Sequence, residues 1–238
     1  MSSKSIKTSL GLSPLFIVVL ALLTAIAPLA TDMYLAALPA VAENLNTTST
    51  NASLTLSSFM VGMALGQLVV GPLSDKTGRR KPLLIGAVVC FIATVACGFA
   101  PNIELLIFAR FLMGFTGSIG AVLARSMVTD TTEGLGTAKL MGVMMMINGF
   151  APVLAPLFGG WVLSWGNWRD IFHVLGVVTA LMMLGVVFVI KETLPVEKRY
   201  TGTALSVYAE LPKVFKIRRY MGFMLTMCFA FGALFSYI

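Results

Sequence analysis

A chain of 238 residues that is 58% hydrophobic and 11% charged has too few polar side chains to cover a water-soluble surface, so lipid is its main solvent. Its net charge of +7 does not point to nucleic acid, because the cations sit in short segments between apolar blocks, where they set membrane topology. The three cysteines, Cys90, Cys97 and Cys228, lie inside apolar blocks without CxxC spacing or clustered His and carboxylates, so they read as small buried hydrophobes and no metal site is expected.

The apolar blocks, each about 18 to 28 residues long, match the helix needed to cross roughly 30 Å of hydrocarbon. They lack the period-two alternation of barrel strands. In chain order they predict helices over residues 14–39, 53–74, 82–100, 103–128, 137–165 and 170–190, with a seventh beginning at Met221. The first block follows Lys4 and Lys7 as a signal peptide would, but it outruns the usual apolar region, lacks a cleavage site and is followed by more spans. It is therefore expected to be retained.

Residues 191–220 form one long polar and basic loop, punctuated by Pro195 and Pro212, with a short surface helix expected around 204–216. The expected organisation is a six-helix transmembrane bundle over 1–190, a cytoplasmic linker over 191–220 and the start of a seventh helix over 221–238. The chain then stops in an apolar run and reads as incomplete.

Lys and Arg give the orientation. Lys4, Lys7, Lys76, Arg79, Arg80, Lys81, Lys139 and the cations from Lys191 to Arg219 fall on one side, and Arg169 alone on the other. The positive-inside rule then places both ends of the six-helix unit in the cytoplasm, in a multi-pass protein of the cytoplasmic membrane.

Between the second and third spans stands Gly71-Pro72-Leu73-Ser74-Asp75-Lys76-Thr77-Gly78-Arg79-Arg80-Lys81. A basic turn obeying the positive-inside rule explains the cations but not an acid and two glycines at these places. Gly71 is expected to admit a neighbouring helix, Gly78 a tight reversal, and Asp75 to accept from an exposed helix N-terminus. The stretch resembles the signature loop of the major facilitator superfamily.

Arg110-Phe111-Leu112-Met113-Gly114 in the fourth span is similar to the R-x-x-x-G element of that superfamily's proton-coupled drug exporters. Thr31-Asp32-Met33-Tyr34-Leu35-Ala36-Ala37-Leu38-Pro39 in the first resembles a stretch of its bicyclomycin and chloramphenicol resistance subgroup, with Ala36 in place of a proline. Gly149-Phe150-Ala151-Pro152-Val153-Leu154-Ala155-Pro156-Leu157-Phe158-Gly159-Gly160 in the fifth looks like the exporter motif, with Ala155 where glycine is commoner. Pro152 and Pro156 lie on one face and free carbonyls for a bend, while Gly159 and Gly160 permit close helix crossing. Lys191-Glu192-Thr193-Leu194-Pro195 adds a further phrase similar to the subgroup.

Intramembrane charges are costly, so Asp32 and Arg110 are functional candidates by position alone. Each lies seven residues from the expected outer end of its helix, about 10 Å deep, so the two are able to pair. Such a pair serves either proton coupling or helix packing alone. Asp130 resembles the acid that ends the fourth helix in this superfamily and is placed to latch onto Arg79; an exposed helix-end acid is the alternative. Arg125, nearer the cytoplasmic end, reads as structural or lipid-facing.

Tyr34, Phe59, Phe111 and Phe115 are candidates for an apolar substrate cavity and equally able to face lipid. His173 reads as an interfacial or packing residue, and the run Met144 to Met146 as packing or lipid-facing. Asn46 and Asn51 fit a glycosylation sequon that matters only in a host that uses it.

The resemblance implies an all-α membrane protein: a six-helix bundle of two inverted three-helix repeats, an incomplete seventh helix, and a missing C-terminal bundle as partner. It implies proton-coupled efflux of drugs or other small hydrophobic compounds, driven by the proton gradient without a cofactor, with protons and membrane lipid as the other partners. The alternative is a truncated, transport-inactive scaffold or dominant-negative fragment. No Walker loop, Ser/His/Asp set or paired carboxylates suggest an enzyme.

Overall fold

The computed structural model describes residues 13–202, 208 and 215–236. Its helices are α1 (Pro14–Leu35), α2 (Leu38–Asn44), α3 (Ser49–Thr77), α4 (Arg80–Gly98), α5 (Ile103–Thr131), α6 (Leu135–Trp165), α7 (Trp168–Val189) and α8 (Arg218–Ser236), with a short 3₁₀ turn at Val196–Lys198. There is no strand among the described residues. The surface helix expected around 204–216 lies largely outside them.

Local chemistry sets the boundaries. Thr48 and Asn102 each accept a first-turn N–H, from Asn51 at 3.2 Å and Leu105 at 2.9 Å, and so start α3 and α5. Asn167 and Asp170 close a reciprocal capping box at the start of α7. The first span differs from expectation. The apolar block predicts one continuous helix to Pro39, whereas α1 ends at Leu35 and α2 restarts at Leu38. Pro39 has no N–H to give the Leu35 carbonyl, so the ladder breaks there.

Among the described residues six helices, α1 and α3 to α7, are long and apolar enough to cross a membrane. The chain is thus a multi-pass membrane protein. Large apolar side chains such as Ile85, Phe108, Leu157 and Phe188 stand exposed, as a lipid solvent permits. The helix expected from Met221 begins slightly earlier, at Arg218, and runs to Ser236. It belongs to a second compact unit, residues 200–238, distinct from residues 1–199.

Within the first unit the main packing pairs are α3 on α5, α1 on α6, α4 on α5, α1 on α7, α4 on α7 and α1 on α5. Exchanging α1, α3, α4 for α5, α6, α7 maps this pattern onto itself. The bundle is therefore two three-helix repeats. Because each repeat crosses the membrane an odd number of times, the second is inverted relative to the first.

Helices in lipid gain no hydrophobic drive from meeting, so close approach must come from small residues. A Cβ on Gly62 or Gly66 would strike the Phe111 or Phe115 carbonyl, and one on Gly114 the Phe59 carbonyl, which locks α3 to α5. In the equivalent crossing, Gly159 of α6 lies against the Met33 carbonyl of α1.

Candidate transport site

The turn between α3 and α4 is the most densely bonded part of the molecule's basic end. Arg79 donates from Nη1 to Asp75 Oδ1 at 2.5 Å and to Ser74 Oγ at 2.7 Å, and from Nε to Asp130 Oδ2 at 3.1 Å. Asp130 also accepts from the Thr193 hydroxyl at 3.3 Å. One guanidinium thereby joins α3 to the end of α5, and the Arg79–Asp130 contact is formed.

Two details of the turn differ from the sequence reading. Asp75 does not take the exposed helix N-terminus; Glu192 does, accepting from the backbone N–H of Arg79 at 2.8 Å and Arg80 at 3.3 Å. Glu192 also accepts from Leu194 N–H at 3.1 Å and pairs with Arg199 at 3.5 Å. Burial pushes its carboxyl up, but the backbone donors of Arg79, Leu194 and Arg80, with the Arg199 charge, together hold it below the ordinary glutamate value.

Gly78 takes φ +90°, and a Cβ there would meet Glu192 and Arg199, so the glycine serves both the reversal and the carboxylate's approach. Gly71, by contrast, faces open space. The close approach expected there occurs at Gly62 and Gly66 instead. Arg80 reaches the Val187 carbonyl at 3.4 Å.

Deeper in the bundle, Arg110 is fully buried. Its Nη1 donates to the Ala30 carbonyl at 2.9 Å, and its guanidinium carbon sits 4.4 Å from the Tyr34 ring centre, 4.6 Å from Phe59 and 5.7 Å from Phe172. Nε and Nη2 have no hydrogen-bond acceptor. Three ring faces and a carbonyl stand where a counter-ion was expected.

The expected Asp32–Arg110 pair is not formed. Asp32 is half-buried and accepts from the Thr31 hydroxyl at 3.2 Å. The reason is azimuth. Ala30 and Tyr34, four residues apart, share the face of α1 that meets Arg110, and Asp32, halfway between them, projects from another face.

Tyr34 and Phe59 are likewise walls of the Arg110 chamber, fully buried, and Tyr34 Oη is 2.8 Å from Thr55 Oγ. Phe111 and Phe115 are half-buried and stack at 6.4 Å. Along α6, Ala155 and Gly159 are buried against α1, whereas Gly149, Pro152, Pro156 and Gly160 are exposed. Of the two expected crossing glycines, only Gly159 makes a crossing within this bundle.

Arg125 and His173 are exposed, and Met144 is buried while Met145 and Met146 are not. Sequence reasoning gave no role to Glu192, Phe172, Gly62 or Gly66. The first sat in a phrase already noted, and the glycines carry the four-residue spacing of a helix crossing. Phe172 has no such signal.

An α-helical membrane bundle of two inverted repeats, with a bonded signature turn and a charge in its core, defines the class of secondary transporters. A model of the Major Facilitator Superfamily matches residues 20–238, and the chain belongs to that superfamily. It is accordingly a member of a transporter family, not an enzyme.

Among its relatives is the uncharacterized MFS-type transporter YdgK of Bacillus subtilis, 39% identical over 92% of this chain and 55% of YdgK. The bicyclomycin resistance protein homolog of Haemophilus influenzae is 30% identical over 94% of this chain and 56% of that protein. The multidrug resistance protein MdtL of Escherichia coli is 30% identical over 71% and 43%.

The chain thus spans about half the length of the curated relatives it matches. The proton:xylose symporter XylE shares the fold with a TM-score of 0.66 at 16% identity, over 82% of this chain and 51% of XylE. The human organic anion transporter MFSD10 does so with a TM-score of 0.55 at 18% identity, over 79% and 48%.

Proposed function

We propose that this bundle works with a second six-helix bundle as a proton-coupled exporter of drugs or other small hydrophobic compounds across the cytoplasmic membrane, with its N-terminus and signature turn in the cytoplasm. One observation carries the reading: Gly159, in the α6 stretch that resembles the exporter motif, is pressed on the backbone of Met33, the residue after Asp32. The residue next to the acid and the helix that carries the motif meet at one crossing. The names of the relatives, resistance proteins for bicyclomycin and multiple drugs, support the substrate class.

In this reading Asp32 carries the proton. A charged carboxylate in a span seeks water or a cation, whereas its protonated form tolerates apolar surroundings. Protonation from outside therefore changes how the end of α1 seats against α6. Ala30 and Tyr34 on either side of Asp32 both touch Arg110, so any turn of α1 moves the carboxylate relative to the guanidinium. The two pair in the alternate state and separate in the present one. Drug arrival from inside favours the deprotonated form by reciprocal linkage.

Energised efflux from cells expressing the whole transporter, with and without a protonophore, tests this. Protonophore-sensitive efflux that Asp32→Asn abolishes is the expected result. An Asp32→Asn protein that still builds a pH-driven drug gradient would sink the proton-carrier role, and membrane-inserted protein that exports nothing across a broad panel would favour the scaffold reading.

A further inference from the structure

We propose that the end of the bundle opposite the signature turn holds a binding site for the ammonium headgroup of a phospholipid, in the notch where α6 gives way to α7. Trp161 and Trp165 stand one helical turn apart, 62% and 83% exposed, with ring centres 6.3 Å apart and planes inclined at 59°. Together with Val162, Gly166 and Asp170 they line an open cavity of about 560 Å³. Two aromatic faces and a carboxylate in one concavity are the chemistry that recognises an ammonium group.

The carboxylate is in place and the cations are elsewhere. Asp170 lies so close over Gly166 that a Cβ there would collide with its Oδ2. It accepts from Asn167 N–H at 2.7 Å and faces His173 Nδ1 at 3.2 Å, yet its side chain remains 39% exposed with lone pairs to spare. The adjacent Arg169 is turned away: it stacks on Trp168 at 4.2 Å and donates to Asn44 Oδ1 at 2.6 Å and the Ala100 carbonyl at 3.1 Å.

Tryptophans at a helix end are what any membrane-interface belt contains, and by themselves they select no headgroup. The Asp170 carboxylate lining the same cavity does, since it repels an anionic headgroup and attracts an ammonium. Leu154, Leu157 and Phe158 of α6 and Val174 and Val177 of α7 stand exposed nearer the bilayer centre, where acyl chains of a lipid seated in the notch would lie. This surface favours a lipid over a free amine.

The test reconstitutes the protein in vesicles of equal parts phosphatidylethanolamine and phosphatidylglycerol, re-extracts it gently and quantifies the retained lipid by mass spectrometry. Wild type is expected to retain the ethanolamine lipid roughly two- to fivefold over bulk, the range that exposed cation–π contacts supply. Asp170→Asn and the double variant Trp161→Leu/Trp165→Leu are expected to return the ratio to bulk.

Asp170 also caps α7, so the double variant, which leaves the cap intact, decides the matter if Asp170→Asn misfolds. Bulk composition on the wild type, or a wild-type ratio on the double variant, overturns the proposal. So does retention of the ethanolamine lipid that millimolar tetramethylammonium leaves unchanged, since a site that recognises an ammonium group must yield to a competing one.

Discussion

Arg110 shows what a single residue can and cannot reveal from sequence. That it sits in a span, and that Asp32 does too, was legible from position. That they do not touch here was not, because depth along a helix is readable while the face of α1 that meets α5 is fixed by packing of all the spans. The consequence is a buried cation stabilised by Tyr34, Phe59, Phe172 and one carbonyl. A planar guanidinium stacks on rings as an ammonium does not, so Arg110→Lys is expected to lower stability by about 2 kcal/mol. Replacing a buried charge by an apolar side chain of similar length is often neutral or stabilising. Arg110→Met is therefore expected to melt at or above the wild-type temperature while losing proton-driven efflux. Thermal unfolding of the purified variants beside their efflux separates the two: a Met variant markedly less stable than Lys would show that the charge itself holds the bundle.

At the scale of elements, the two crossings of the repeats are glycine contacts, and only their context distinguishes these glycines from the others. The signature and exporter motifs drew attention to Gly71 and Gly160, which face open space, while Gly62 and Gly66 carry the α3–α5 crossing without belonging to any motif. The glycines that build this bundle follow from which helix faces meet, and not from membership of a motif. Helix existence was legible because apolar blocks have the length of the bilayer. The break after Leu35 was missed because a proline at residue 39 is compatible with either a kink or a restart. Gly66→Ala forces a methyl onto the Phe115 carbonyl and is expected to destabilise by about 1–3 kcal/mol. Gly160→Ala, with nothing nearby, is expected to be neutral or to stabilise by up to about 1 kcal/mol through helix propensity. Melting temperatures of the isolated chain test this contrast, and equal losses at both positions would remove the α3–α5 crossing from the account.

For the whole bundle, the segment after α7 is a strap across the basic end. Glu192 grips the backbone at the start of α4, Thr193 and Arg79 share Asp130, and Leu194 is buried, so the six-helix unit is closed by residues just beyond its last span. Sequence reading placed these residues in a linker, since a carboxylate that bonds to backbone N–H groups leaves no mark in composition. The strap also gives the fold a pH dependence of known sign. Glu192 is held below its ordinary value, so its contribution is present in full above the ordinary glutamate range and is lost as pH falls through the lowered value. Spin labels at the exposed positions 129 and 196 should report one narrow distance at neutral pH that broadens on acidification. Glu192→Gln should be broad already at neutral pH and respond little to acid, because the amide cannot offer the backbone N–H groups two charged acceptors. A full acid response persisting in Glu192→Gln would show that Glu192 does not control the release, and make the strap a passenger of the signature turn instead of its clasp.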